Sequence, residues 1–445
     1  MTISRRQLLA GSTASAAVYA MPLRAQAQER GIDAYEFGVR ANTEADQSQV
    51  LQRAIDEAVR RDRPLFLSPG VYRAHDLVLP GGSRLIGAAG PTRIVFSGGR
   101  ALISARTDGP VSLSGLTLNA GNLPLSADGL VDFNDVKGLR IFNCFVNGAN
   151  GNAISLNRCE GDVQGCHITD AADNALFCLD SKLAIRGNII AKSGNGGIRV
   201  WRSSKQDDGS TVEGNMIEDT QARAGGDGQN GNAINIYRAA HVTVRNNVIR
   251  RAAFSAIRGN AASHIQMTGN QCFALEEVAI YSEFDFEDAL IADNIVDTAA
   301  MGIAVTNMDQ GGHGAVVRNN FIRNVVNKRP QGGPDSFGVG IGVEADTVVT
   351  LNSIENAPTM GISIGYGKYL RNVTASGNLV RKTGIGIGVS VVEGAGAAAI
   401  TDNIIKDASQ GAIVGMAWDK AATGDLTQGG AEKFPQLRLS GNKVS

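Results

Sequence analysis

The chain has 445 residues with 55 glycines, 5% aromatics and a formal net charge of −1. That length is long for one compact core but suits an architecture that grows along one axis. The near-neutral charge excludes the basic footprint of a nucleic-acid binder. Abundant glycine with few prolines and ample Val, Ile and Asn fits many short strands and tight turns, not disorder.

Residues 1–27 read as an export signal. Ser4-Arg5-Arg6-Gln7-Leu8-Leu9 matches the twin-arginine pattern, an Ala-rich apolar stretch runs from Leu8 to Met21, and Ala25-Gln26-Ala27 supplies a small-residue cleavage site. The twin-arginine export machinery is therefore an expected partner through residues 1–27, with a periplasmic or secreted destination. No later segment is long and apolar enough to span a membrane, so the mature protein is expected to be soluble.

Residues 28–135 are expected to form an N-terminal cap and the first coils. From Gln47 to Arg61, Leu51, Ala54, Ile55, Ala58 and Val59 recur at helical spacing. Asp46 is positioned to cap this helix, with Gln49 three residues on completing the box. Leu65-Phe66-Leu67, the turn Ser68-Pro69-Gly70, and short strands at 83–87, 93–96 and 111–118 follow.

Residues 136–445 form a regular array. Alternating strands lead into an Asn at 188, 215, 247, 270, 294, 320, 352, 378, 403 and 442, spaced by 23 to 39 residues. Cys144 and Cys166 fill the same slot upstream. A period of this size marks stacked units that bury their faces only against neighbours. The units lack a helix of ten residues and are too short for propeller blades, which leaves a parallel β-helix of about 12 coils. Asn tolerates the left-handed backbone of a sharp turn. Its amide also reaches the equivalent Asn one rung away, roughly 4.8 Å distant, so these residues are expected to form a structural ladder. The five cysteines show no CxxC pairing, and no cofactor or metal motif stands out. A disulfide between Cys144 and Cys166 stays open in an oxidising compartment.

Phe37-Gly38-Val39, Val50-Leu51-Gln52-Arg53-Ala54-Ile55 and Leu67-Ser68-Pro69-Gly70-Val71-Tyr72 resemble the entry segment of pectin-lyase-like right-handed β-helix proteins. With the signal and the Asn coils, the whole chain resembles the twin-arginine-translocated repeat proteins, a family of uncharacterised function. The resemblance implies an all-β, right-handed parallel β-helix with a helical N-terminal cap. It implies no reaction.

The Asn slots also align the second strand of each coil. One outward position then reads Ser155, Phe177, Arg199, Asn235, Arg258, Tyr281, Ala304, and the next reads Asn157, Leu179, Trp201, Tyr237, Asn260, Glu283, Thr306. Arg199, Trp201, Arg202, Asn235, Tyr237 and Arg238 are the expected substrate-binding residues. Arg258, Tyr281 and Glu283 are the expected catalytic ones. Aromatic rings offer sugars a flat face and Arg forks match carboxylates, so the patch suits an acidic polysaccharide. A lyase or epimerase would use the arginines to neutralise a developing enolate and Tyr281 to move the proton. A hydrolase would use Glu283 with Glu344, two rungs apart at about 9.6 Å, near the upper limit for inversion. The contrasting reading is a solvated sheet face on a non-catalytic envelope scaffold. The inserts 203–209, 220–231, 308–314 and 327–337 border the face as candidate cleft walls.

Polygalacturonases carry Asp-Asp followed soon by Gly-His-Gly. Here Asp207-Asp208 and Gly312-His313-Gly314 lie several coils apart, and the Asp-Pro-His of mannuronan epimerases is absent, so no catalytic residue transfers. His241, His264 and Asp288 occupy equivalent turns and are expected to stack as a polar column. At the far end, the insert from Trp418 to Gln436 is expected to fold over the last strands, or a partner to cover them, because an open edge invites aggregation.

Overall fold

A computed structural model of the protein describes residues 31–226, 228–306, 312–328 and 337–445. The export segment at 1–27 and much of the inserts at 308–314 and 327–337 lie outside the described residues. The chain forms an all-β right-handed parallel solenoid of about 13 turns with one helix near its N-terminus.

Each coil contributes three strands. The first, such as Thr243–Arg245, joins a sheet that among the described residues has sixteen strands, running from Ile32–Asp33 to Leu437–Ser440. A sharp turn then leads to a short second strand, such as Val248–Ala252, and a third, such as Ile257–Asn260. Second and third strands together make a sheet of twenty-eight among the described residues. Among the described residues the named strand pairings are parallel, except that Lys420–Asp425 returns antiparallel along Ile413–Ala417. Alternating residues point inward to one continuous apolar core reaching from Ala34 to Leu426.

The helix spans Ser48–Arg60 and buries Leu51, Ala54, Ile55 and Ala58 against the first coils. The N-cap position is Gln47, whose side chain makes no capping bond, and Asp46 one residue before it supplies the acceptor instead, its Oδ1 accepting from Ser48 N at 2.9 Å. The expected reciprocal Gln49 bond does not form. Instead Gln47 Oε1 accepts from Arg40 N at 3.1 Å, tying the cap to the preceding loop. Gln52 both donates to Val78 O and accepts from Val78 N, each at 2.8 Å, so the helix finishes a strand edge with a side-chain amide.

The Asn ladder is present from Asn188 to Asn442. Each Nδ2 donates to the next Asn Oδ1 at 2.9 or 3.0 Å, as Asn215 does to Asn247 and Asn352 to Asn378. The second Nδ2 hydrogen goes to a carbonyl of a preceding strand, Val244 O in the case of Asn270. From Asn188 to Asn403 these side chains are at most 1% exposed, and the ladder leaves none of them unpaired.

The physical reason for the slot differs from the expectation in one respect. The ladder Asn is not the left-handed residue. The residue before it is, with φ of 56° at Asn246, 60° at Asp293, 55° at Asn319, 57° at Leu351 and 57° at Asp402. The turn therefore divides the work between two positions. One bends the chain and the other satisfies the buried polar groups that the bend creates.

All five cysteines are buried free thiols, Cys144 and Cys166 included. No helix among the described residues is long and apolar enough to cross a membrane.

Candidate functional site

The register of the third strands matches the alignment read from the Asn slots. Arg199 pairs with Asn235, then Arg258, then Tyr281, and Trp201 pairs with Tyr237, then Asn260, then Glu283. Four consecutive coils thus bring the expected residues onto one face.

The face is not open as expected. Arg199 and Arg258 are each 7% exposed, Asn235 3% and Glu283 1%. The cover is the insert preceding the strand Asn232–Ala240. Asn230 Oδ1 accepts from an Arg199 terminal nitrogen at 2.5 Å, and Asn235 Nδ2 donates to Gly228 O at 3.2 Å. A Cβ on Gly228 would sit 2.9 Å from an Arg258 nitrogen, so only glycine lets the insert lie flat on that guanidinium. Asn195 anchors the near end, its Oδ1 accepting from Ala224 N at 2.7 Å. The segment expected as a cleft wall is a roof.

Beneath it, Arg258 grips Glu283 with two parallel bonds, Nε to Oε1 at 2.6 Å and a terminal nitrogen to Oε2 at 2.9 Å. Asn260 Nδ2 adds a third bond to Oε1 at 2.6 Å. Burial pulls the Arg258 guanidinium down, and the bonds from Glu283 more than offset it, leaving it above its ordinary value. Tyr281 is pushed up to about 12, first by burial and then by the Glu283 charge, so its phenol stays protonated. Both oxygens of Glu283 are thus engaged. Glu344, its expected hydrolytic partner, is buried as well, at 9% exposed.

What remains accessible is an aromatic ridge. Phe177 meets Trp201 edge to face at 5.7 Å, and Trp201 meets Tyr237 at 5.5 Å. All three rings are half-buried. Trp201 Nε1 donates to Asn235 Oδ1 at 3.2 Å, which ties the ridge to the polar layer. Arg199 lies over the Trp201 ring at 5.0 Å, and exposed Arg238 lies over Tyr237 at 4.8 Å. Arg202 is used internally, bonding Asp208 at 2.7 Å to close the insert at 203–209. Phe177 continues the ridge one coil further toward the N-terminus than the expected set.

Two features of this face were not singled out in the sequence. Asp132 lies level with Ser155 in the first outward position, where burial and then the Asp128 charge raise its carboxyl. Extending the same alignment one coil upstream finds it. The second is an orphan pair. Asn174 Oδ1 and Arg199 Nε are both buried without a partner, and both face the hydrogen of Gly196. Only side-chain geometry reveals that.

The polar turn column forms as expected. His241 and His264 stack at 4.6 Å with their planes 15° apart, and His264 Nδ1 lies 3.3 Å from Asp288 Oδ2. All three residues have left-handed backbones, so the column follows from the turn.

A family model described as a right handed beta helix region matches residues 129–322, and one described as a periplasmic copper-binding protein (NosD) matches residues 229–430. The chain is a right-handed β-helix protein. The matches support the pectin-lyase-like superfamily. No curated protein sequence matches it. Among solved structures, the β-helix is similar to the pre-mature gene product 12 of bacteriophage phi29, at 13% identity with a TM-score of 0.59, over 89% of this chain. It spans 58% of that protein's length. It is also similar to the catalytic unit of an alpha-1,3-glucanase from Streptomyces thermodiastaticus, at 14% identity, TM-score 0.48, covering 93% of this chain and 69% of the other. The A-module of a mannuronan C-5 epimerase from Azotobacter vinelandii gives 13% identity and 0.41, covering 93% and 99%. Likeness at this level speaks for the fold alone.

The second family's description names copper, which needs ligands that converge on one ion. Stacked, near-parallel imidazoles cannot aim their in-plane lone pairs at one ion, and Cys272 is sealed in the core. Among the described residues no three His, Cys, Asp or Glu side chains gather as a metal site would require. These residues do not fit a copper centre.

Proposed function

We propose that this chain is an exported carbohydrate-binding β-helix that holds an acidic polysaccharide along the ridge of Phe177, Trp201 and Tyr237, with Arg238 at its rim. The observation that carries the reading is the ridge itself. Three aromatic rings occupy consecutive rungs, and the middle one, Trp201, is tied through Asn235 to the polar layer that holds Arg199, Arg258, Asn260 and Glu283. A polysaccharide repeats along one axis, as the rungs do, and rings fixed by buried partners lose little entropy on binding.

Arg258, Tyr281 and Glu283 are read as positioning residues. A general base needs a free carboxylate within reach of a substrate proton, and Glu283 already accepts three bonds. Export by the twin-arginine route rests on residues 4–9, and the match to a periplasmic family supports that destination.

The test is binding to immobilised uronate and neutral polymers. Trp201→Ala and Tyr237→Ala should each weaken retention about tenfold while leaving the melting temperature within a degree or so of the parent. Retention unchanged in both variants, or no binding to any polymer, would sink the proposal and favour a scaffold. Release of an unsaturated or reducing product would sink the positioning role of Glu283.

A further inference from the structure

A second polar concavity lies away from the ridge, at the corner where short strands turn into long ones. It encloses about 530 Å³ and is lined by Asn119, Asn122, Asn147, Asp170, Lys192 and Arg223 among others. The repeat builds it. Asn119 and Asn147 pair in register at the ends of neighbouring short strands. Asn122, Asp170 and Lys192 follow at left-handed corners, with φ of 58°, 55° and 56°. Arg223 arrives from the same insert that roofs the Arg258 layer, pinned by its own N–H to Gly194 O at 2.9 Å.

Three of these groups are uncommitted. The Arg223 side chain is exposed and makes no hydrogen bond or ion pair among the described residues. The Lys192 ammonium stands 4.0 Å from Asp170, a loose pair with the lysine side chain 66% exposed. Asn147 Oδ1 is buried and receives no donor. A carbonyl oxygen taken from water without a donor is costly, and a turn of the Asn147 amide, which lines the cleft, would present it to a ligand hydroxyl.

The set thus offers a guanidinium fork, an ammonium, an acceptor awaiting a hydroxyl, and a carboxylate that can take another. No aromatic ring lines the cleft, so its recognition would be by hydrogen bonds and charge, unlike that of the ridge. A guanidinium matches a planar carboxylate with two parallel bonds. We infer that this cleft binds a single uronic-acid residue, its carboxylate on Arg223 and Lys192 and a ring hydroxyl donating to Asn147 Oδ1. The inference deepens the saccharide reading by naming the charged unit, and it uses none of the ridge residues.

The experiment is calorimetric titration of the mature chain with glucuronate and galacturonate monosaccharides, with glucose, the uronate methyl ester and a glucose sulfate as comparison arms. The uronates should bind at least about tenfold tighter than glucose and the ester. Arg223→Met should remove about tenfold of that affinity without moving the melting temperature, since Arg223 supports nothing in the fold. Lys192→Met should weaken binding in the same direction, and Asn147→Leu should weaken uronate and glucose alike. Trp201→Ala should leave monosaccharide binding intact, so the cleft and the ridge can fail separately. No uronate binding, or binding indifferent to Arg223→Met, would overturn the inference. Equal affinity for the sulfated sugar would overturn its assignment to a carboxylate.

Discussion

Asp132 shows what a single residue can cost this fold. Its carboxyl is 7% exposed and has one hydrogen bond from a neighbour, Asn134 Nδ2 at 3.0 Å. Burial, then the charge of Asp128, raises its folded pKa above the unfolded value. Such a group holds its proton longer in the folded state, so stability falls as pH rises through the folded pKa. The penalty is full above the folded pKa and absent below the unfolded value, about pH 4. Asp132→Asn should therefore stabilise the fold at pH 7 by on the order of 1 kcal/mol, with the gain fading toward pH 4. Calorimetry across that range checks it. An equal gain at pH 3, or a loss at pH 7, would refute the account. A residue retained at such a cost, one rung from Ser155 on the ridge's own face, is where a stability–function compromise is expected.

At the scale of elements, strand order and register were legible because turn chemistry repeats. Counting from each Asn put Trp201 beside Tyr237 and Arg258 beside Tyr281, as the pairing shows. Solvent access was not legible. Alternation tells which way a side chain points, but not whether Gly228 and Asn230 then lie over it, because that depends on Gly228 reaching the Arg258 guanidinium. The C-terminal insert was legible in outline. It folds back along part of the last coil, with Lys420–Asp425 against Ile413–Ala417, Leu426 buried, and Trp418 against Tyr366 and Tyr369, but the outer edge of Leu437–Ser440, which it was expected to cover, pairs with no further strand among the described residues. Asp425 pins this cover. One oxygen accepts from Ala412 N at 2.7 Å and the other from Thr427 N at 3.0 Å. Burial alone would raise its carboxyl, but these bonds hold it below the usual range. Asp425→Ala should cost roughly 1–3 kcal/mol of local protection. Amide exchange should quicken at residues 412–417 and stay unchanged around Asn270. Uniform quickening along the chain would show that the cover is not a separate unit. The stabilisation from Asp425 is present above the ordinary carboxylate pKa and is lost as pH falls through the lowered folded value, so the variant and parent should converge in acid.

Across the whole molecule, stability is a sum over interfaces between neighbouring coils, and the Asn ladder is a term that every interface from Asn188 onward shares. The position of a lesion should then decide its effect. Asn270 stands mid-ladder, accepting from Asn247 N at 3.1 Å and Asn247 Nδ2 at 3.0 Å, and donating to Asn294 Oδ1 at 3.0 Å. Asn270→Ala strands both Asn247 donors in a site with no route to water, at about 2–5 kcal/mol for the pair. Asn442 is only half-buried at the last rung, so water can take up the donors that Asn442→Ala releases from Asn403. That substitution should cost less than half as much. The central lesion should also divide the array. With the interface between the Asn247 and Asn270 coils weakened, urea unfolding should broaden or split, because each side can melt without the other. The terminal lesion should only fray the end. Equal losses from the two substitutions, each with one sharp transition, would mean that the ladder repairs a local turn on every rung and transmits nothing along the axis.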